Sequence, residues 1–161
     1  MAKISKILEI DNCNKDILFK TLYKAVFWET INPTKKMEAK FIAPNVLYTK
    51  IYDEVDLVHI PIEMEGELVL SDKGESGDKG RLVEFNVRNN KNVKHLEGRL
   101  RIKALSPTKS KIGVFIEKFV LSGDFLSLTN NVVDFVLQTK ITEMMRNIEK
   151  YCKTKDLKDL L

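Results

Sequence analysis

The sequence predicts an α+β fold in which seven antiparallel strands pack against one long C-terminal helix. Between residues 35 and 121, segments rich in Val, Ile, Phe and Tyr alternate with turn residues at fairly regular intervals, as in a sheet. The connections between these segments are short, which favours antiparallel over parallel pairing. In the last third of the chain, apolar residues recur at three- and four-residue steps without Pro or Gly after Gly123, which is typical of a continuous helix.

Length and composition indicate one globular domain. The chain has 161 residues, of which 43% are apolar and 31% charged, so we expect a single domain over residues 1–161 with a frayed end at 155–161. Its 27 basic and 23 acidic residues are interspersed, a pattern of a solvated surface that argues against a nucleic-acid partner. No signal peptide and no run of about eighteen apolar residues is found, so stable membrane insertion is not expected.

The cysteines and histidines form no pattern of metal ligands. Cys13 and Cys152 lie at opposite ends of the sequence without a CxxC or Cys/His spacing. A reduced, cytoplasmic protein without a metal or other cofactor is the simplest inference. Whether the fold brings the two cysteines together stays open at this point.

The N-terminal segment is predicted as one strand and two short helices. Residues 3–10 form the strand, with Ile4 and either Ile7 or Leu8 facing inward. Asn12 or Asn14 then offers a helix cap, because a short polar side chain can accept from the free N–H groups of the first turn.

Helical spacing follows from Ile17 to Val26, and a second short helix carries Phe27, Trp28 and Ile31. Asn32-Pro33 ends it, since the residue before proline avoids the helical region.

Six further strands follow, and their alternation shows which face is buried. They are predicted at Met37–Ala43, Val46–Asp53, Ile62–Ser71, Arg81–Arg88, Val93–Leu105 and Lys111–Leu121. In the fourth of them Val83, Phe85 and Val87 share one face and polar residues share the other, as in a sheet with one apolar and one solvated side. The last strand differs, because Ile112, Val114 and Ile116 alternate with Phe115, Phe119 and Leu121, which predicts apolar neighbours on both faces.

The C-terminal helix is predicted from Asp124 to about Lys155. From Phe125 to Leu137 its apolar residues cover more than one face, which is typical of a helix buried on more than one side. After Ile141 they narrow to a single stripe, so the second half is expected to pack on the two short helices.

Three features carry a resemblance to a known superfamily: the element order, the segment Asn14–Trp28 followed by Pro33, and the closing run Phe119–Val136. In these features the chain resembles the START and pollen-allergen-like helix-grip superfamily, also called SRPBCC. The resemblance implies a curved seven-stranded antiparallel sheet wrapped around a long C-terminal helix, with two short helices between strands 1 and 2. It also implies a hydrophobic cavity between sheet and helix, open near the first half of that helix.

The leading functional hypothesis is a carrier or receptor for a hydrophobic small molecule such as a fatty acyl chain, an isoprenoid or another lipid. An alkyl chain gains about 0.8 kcal/mol for each buried CH₂ group, so an apolar cavity suffices for binding. The residues expected to line it are Met64, Val83, Phe85, Leu100, Ile102, Phe125, Leu128, Val132 and Val136, with Tyr48 and Tyr52 as polar anchors. For each, ordinary core packing is the alternative, and residues 55–60 are either a portal flap or an extension of a strand.

Two other functions stay open. A cyclase or aldol-type enzyme needs an acid or base inside the cavity, but His95 alternates with outward-facing charges and His59 lies in a predicted loop, so no catalytic residue is assigned. A cochaperone-like adaptor would use the charged face from Lys140 to Lys155. The tail residues Leu157, Leu160 and Leu161 could dock on a second copy, which makes a homodimer a further hypothesis.

Overall fold

The computed structural model describes residues 3–55, 60–122 and 130–161, and within them it contains a seven-stranded antiparallel sheet and one long helix. The elements are β1 (Ile4–Asp11), α1 (Lys15–Thr21), α2 (Ala25–Ile31), β2 (Lys36–Ala43), β3 (Val46–Val55), β4 (Ile60–Glu75), β5 (Arg81–Arg88), β6 (Val93–Ser106), β7 (Lys109–Leu121) and α3 (Asn130–Thr154). Strand order is β1-β7-β6-β5-β4-β3-β2, so β1 and β2 form the two edges and the sheet is not closed. The predicted fold class and element order are confirmed.

The first helical segment is two helices rather than one continuous run to Val26. Asn14 caps α1, since its Oδ1 accepts from the backbone N–H groups of Asp16 and Ile17 at 3.0 and 3.1 Å. The chain then leaves the helical region at Lys24, with φ −118° and ψ 121°, and α2 starts at the next residue. The break leaves the Leu22 carbonyl to accept from the Trp28 indole N–H at 2.8 Å.

The strands have the predicted faces at most positions. On β1, Leu8 and not Ile7 faces inward: Leu8 pairs with buried Ile112, whereas Ile7 is 55% exposed. On β5, Val83, Phe85 and Val87 share the inner face. The inner face is the one that packs against α3.

A β-bulge in β7 changes the expected arrangement of its side chains. Glu97 pairs with Lys118 whereas Gly98 pairs with Ile116, so Glu117 is an extra residue in β7. The bulge reverses the alternation, and Ile116 and Phe119 therefore both line the inner face. The inner face of β7 is thus apolar along its length, while Val120 on its outer face is exposed to solvent.

Phe115 lies on the outer face of β7. It stands opposite Arg99, whose guanidinium carbon lies 5.5 Å from its ring centroid. The ring lies over Gly113, where a Cβ atom would come within 2.8 Å of Phe115 Cε2. This packing against Arg99 and a glycine explains the half-burial of an outward-facing phenylalanine.

Several element ends differ from the predictions. β4 continues past Ser71 to Glu75 because it pairs with β5 down to Glu75 and Arg81, and a bidentate Arg81–Asp72 ion pair holds the two strands there. Val55 and Ile60 pair at the ends of β3 and β4, which leaves residues 56–59 of the predicted flap outside the described residues. The predicted start of the long helix, with Phe125 and Leu128, also lies outside them.

The second half of α3 belongs to the core. Ile141, Met145, Ile148 and Cys152 are buried at steps of four, three and four residues, which places them on one face of α3. Cys13 is buried in the same core, where the Cys152 side chain lowers its pKa. Leu157 is only 2% exposed, so it packs in the core of its own chain and is not available to a second copy. No helix within the described ranges is both long and apolar enough to cross a membrane.

A candidate ligand pocket between sheet and helix

A pocket of about 330 Å³ lies between the inner face of the sheet and the first half of the described part of α3. Side chains at alternate positions of β3, β4, β5, β6 and β7 form its floor, as the period of two along a strand requires. The helix covers it with residues spaced three and four apart. The apolar lining comprises Trp28, Met37, Leu47, Ile51, Ile62, Met64, Leu68, Phe85, Val87, Val93, Leu96, Leu100, Val114, Ile116, Phe119, Leu121, Val133, Val136, Leu137, Ile141 and Met144.

An ion pair between Asp53 and Lys140 forms a polar part of this lining. Lys140 Nζ lies 2.9 Å from Asp53 Oδ2 and donates to the Pro33 carbonyl oxygen at 3.1 Å. Asp53 is only 7% exposed. It faces inward because it continues the alternation of Leu47, Thr49 and Ile51 along β3. A buried carboxylate needs such a partner, since an unpaired charge away from water is costly.

Asn90 forms a second polar edge of the pocket. Its Oδ1 accepts from the backbone N–H groups of Asn92 and Val93 at 2.9 and 3.0 Å, which fixes the β5–β6 turn. Its side chain packs against Gly66, where an added Cβ atom would come within 2.8 Å of Asn90 Cβ. The nearby Glu67 carboxylate accepts from Asn89 and Arg88, and these bonds lower the pKa of Glu67 below its usual value.

Comparison with solved structures identifies the fold. A START superfamily protein from Mycobacterium smegmatis matches with a TM-score of 0.69 and 12% identity over 93% of this chain and 96% of that chain. A protein from Thermus thermophilus matches with a TM-score of 0.68 and 9% identity over 92% and 95% of the two chains. The chain has the helix-grip fold of the START superfamily.

A further solved structure with the START-like fold is an aromatase/cyclase. The Zhui aromatase/cyclase from Streptomyces sp. R1128 matches with a TM-score of 0.59 and 13% identity over 98% of this chain and 92% of that chain. At these identities the likeness concerns the fold alone. No family model matches the sequence, and no curated protein matches it either.

Within this START-like fold, four of the residues predicted to bind a ligand line the pocket: Met64, Phe85, Leu100 and Val136. Val83 and Ile102 have no exposed surface and lie outside the lining. Ile102 packs instead with Leu18 and Leu22 beneath the two short helices. On α3, the neighbouring Val133 lines the pocket in place of Val132.

The two tyrosines predicted as polar anchors lie on the outer face of the sheet. Tyr48 and Tyr52 occupy the positions of β3 that alternate with the inward Leu47, Ile51 and Asp53. The Tyr48 hydroxyl donates to the Glu65 carboxylate, which raises the pKa of Tyr48 above its usual value. Tyr52 is exposed to solvent.

Sequence reasoning missed Asp53, although a signal was present. Counting in twos from Leu47 places a carboxylate on the apolar face of β3 directly after Tyr52. A charged residue at such a position indicates either the end of a strand or a buried ion pair. Its partner Lys140 is remote in sequence, so the pair itself required the structure.

Proposed function

We propose that the protein binds a hydrophobic small molecule, such as a fatty acyl chain or another lipid, in the pocket between sheet and α3. The observation that carries this proposal is an almost wholly apolar lining with a few polar groups at its edge. Ligand pockets are typically about 300–1,000 Å³, apolar and furnished with a small number of polar groups. The pocket volume of about 330 Å³ falls in that range.

The energetics favour an alkyl or polycyclic ligand. Each methylene moved from water into such a lining gains about 0.8 kcal/mol. We propose Met64, Phe85, Leu100, Val133 and Val136 as contacts, while the predicted roles of Phe125 and Leu128 stay predictions. Cytoplasmic location and a homodimeric state likewise stay predictions.

A pair of adjacent substitutions on β4 tests the proposal. Met64 lines the pocket, whereas Glu63 is on the opposite face of the same strand. In Met64→Trp the larger side chain narrows the pocket, so we expect loss of binding of the neutral apolar dye Nile red while the melting temperature is retained. Glu63→Trp adds the same ring outside the pocket and should bind the dye as the unmodified protein does.

Mass spectrometry of an organic extract of the purified protein supplies an independent check. We expect a co-purified apolar compound from the unmodified protein and from Glu63→Trp, but not from Met64→Trp. Equal dye binding by all three proteins, or saturation at a stoichiometry far from one to one, would contradict binding in this pocket.

A second candidate is a cyclase or aldol-type reaction on a hydrophobic substrate. It is favoured by Asp53, a carboxylate in the pocket lining, and by the likeness in fold to an aromatase/cyclase. Carboxylates serve as general acids or bases when they reach the reacting group. Its test is conversion of an extracted ligand on incubation: product formation that is lost in Asp53→Asn supports catalysis, and an unchanged ligand contradicts it.

A further inference from the structure

The ion pair of Asp53 and Lys140 has properties that restrict which apolar molecules fit the pocket. Both side chains line it, beside Pro33 and Thr34 from the α2–β2 connection. Lys140 carries three N–H donors, of which one points to Asp53 and one to the Pro33 carbonyl oxygen. The contact at Asp53 uses Oδ2, so the carboxylate retains further lone pairs for a donor.

We propose that this pair recognises one uncharged polar group, a hydroxyl or a carbonyl oxygen, on an otherwise apolar ligand, and that it disfavours a free carboxylate. The inference rests on the proposed function, because it names the class of ligand that the same pocket takes. A ligand hydroxyl accepts a hydrogen bond from Lys140 Nζ and donates one to Asp53. A ligand carbonyl oxygen accepts from Lys140 alone.

The charge balance at the pair decides between neutral and anionic ligands. The Lys140 ammonium is already balanced by Asp53 at 2.9 Å, and Glu143 lies 3.9 Å from the same nitrogen. A ligand carboxylate would therefore be the third carboxylate around one ammonium. Like charges at such separations disfavour the charged form, and burial in the pocket strengthens the repulsion.

The pair also sets the orientation of the ligand. An alkyl end placed against Asp53 and Lys140 would remove water from two charged groups without replacing its hydrogen bonds, which costs binding free energy. The apolar end is better placed among Leu68, Phe85 and Leu96. A molecule with one neutral polar end and one apolar end satisfies both parts of the lining.

A ranking of three probes with the same chain length tests the proposal on the unmodified protein. Nile red is displaced with 1-decanol, 2-decanone and decanoate at pH 8, where decanoate is ionised. We expect the alcohol and the ketone to displace the dye at a concentration roughly tenfold or more below that of decanoate, as expected for hydrogen bonds to charged groups. This ranking needs no variant and is independent of any loss of folding.

Substitutions then assign the ranking to the pair. Asp53→Asn leaves the Lys140 ammonium with less counter-charge and should reduce the preference for decanol over decanoate by roughly tenfold. Lys140→Met removes the pair's only donor to a ligand carbonyl oxygen and should weaken displacement by 2-decanone by roughly tenfold. The matched controls are Glu38→Gln and Lys36→Met, which alter an exposed ion pair of 4.0 Å outside the pocket and should leave the ranking unchanged.

The outcomes separate this inference from the proposed function. If Nile red binds one to one but decanoate displaces it as well as decanol does, the inference is overturned while the pocket remains a binding site. The same holds if the preference for decanol over decanoate persists in Asp53→Asn and 2-decanone displaces the dye from Lys140→Met as well as from the unmodified protein. If the dye binds equally to the unmodified protein and to Met64→Trp, the proposed function fails and this inference fails with it.

Discussion

A methyl group added at Gly98 tests the packing of β6 against β7 and the pocket floor. In Gly98→Ala the new Cβ would lie 2.6 Å from Phe85 Cζ and closer still to the Phe115 carbonyl oxygen. Unstrained contacts between carbon atoms are about 3.5–4.0 Å, so both neighbours must move by roughly 1 Å. The Phe85 ring can rotate, but the Phe115 carbonyl belongs to the strand beside the Glu117 bulge and cannot move without disturbing the β6–β7 pairing.

The expected cost of this overpacking is about 1–3 kcal/mol of unfolding free energy. For a domain of this size that lowers the melting temperature by roughly 2–12 °C, which thermal unfolding followed by circular dichroism detects. Gly66→Ala is the comparison, because its nearest neighbours are atoms of the Asn90 side chain, the first at 2.8 Å. A side chain moves more easily than a paired backbone carbonyl, so Gly66→Ala should lose less unfolding free energy than Gly98→Ala.

Truncation of the ring shows which contact dominates. If the carbonyl oxygen sets the cost, Gly98→Ala combined with Phe85→Leu stays destabilised relative to Phe85→Leu alone. Full recovery in the double variant would assign the cost to the ring. A Gly98→Ala protein as stable as the unmodified one would refute the close approach of β6 and β7 at the bulge.

Three further measurements address the N-terminal helix, the β4–β5 end and the core thiols. Asn14→Ala should lose about 1 kcal/mol of unfolding free energy because the acceptor for the Asp16 backbone N–H is removed. Asn14→Asp keeps this acceptor and should keep most of the stability. The Arg81 guanidinium lowers the pKa of Asp72, so the pair stabilises the fold at pH values above the unfolded-chain pKa of about 3.9, and this contribution is lost as the pH falls through the lower pKa of the folded state. In urea unfolding from pH 6 to 2, the unfolding free energy of Asp72→Asn should therefore fall less in acid than that of the unmodified protein, and identical pH dependences would contradict this. Cys13 and Cys152 are both buried, and the Cys13 side chain together with burial raises the pKa of Cys152. Neither thiol should therefore react with a disulfide reagent until the chain is unfolded, and rapid labelling of the native protein would contradict the core placement.

The fold could be predicted because most of its signals are local. Val83, Phe85 and Val87 identify an inner face by alternation alone, and the stripe from Ile141 to Cys152 identifies the buried side of α3. The order of elements then leaves few ways to cover an antiparallel sheet that has one apolar face. The resemblance to the helix-grip superfamily extended these local signals to a complete architecture.

The features that escaped prediction depend on contacts between distant residues. The bulge at Glu117 exists because β6 and β7 pair with unequal residue counts, and nothing in either strand alone marks it. Tyr48 and Tyr52 were predicted as anchors for their residue type, whereas the strand period assigns them to the outer face. Asp53 pairs with Lys140, which lies 87 residues further along the chain, and no local pattern reveals such a pair.

The boundary between core and pocket follows from the helix break after α1. Four residues line both the large pocket and the small void of about 20 Å³ in the core, and they form the wall between the two: Trp28, Leu100, Val114 and Met144. The Trp28 ring is held there by its hydrogen bond to the Leu22 carbonyl, which is available only because α1 ends and α2 begins at Ala25. A continuous helix would use that carbonyl in its own ladder and release the indole. The pocket thus depends on the break between α1 and α2 near Leu22 and Ala25, far along the chain from the strands that form its floor.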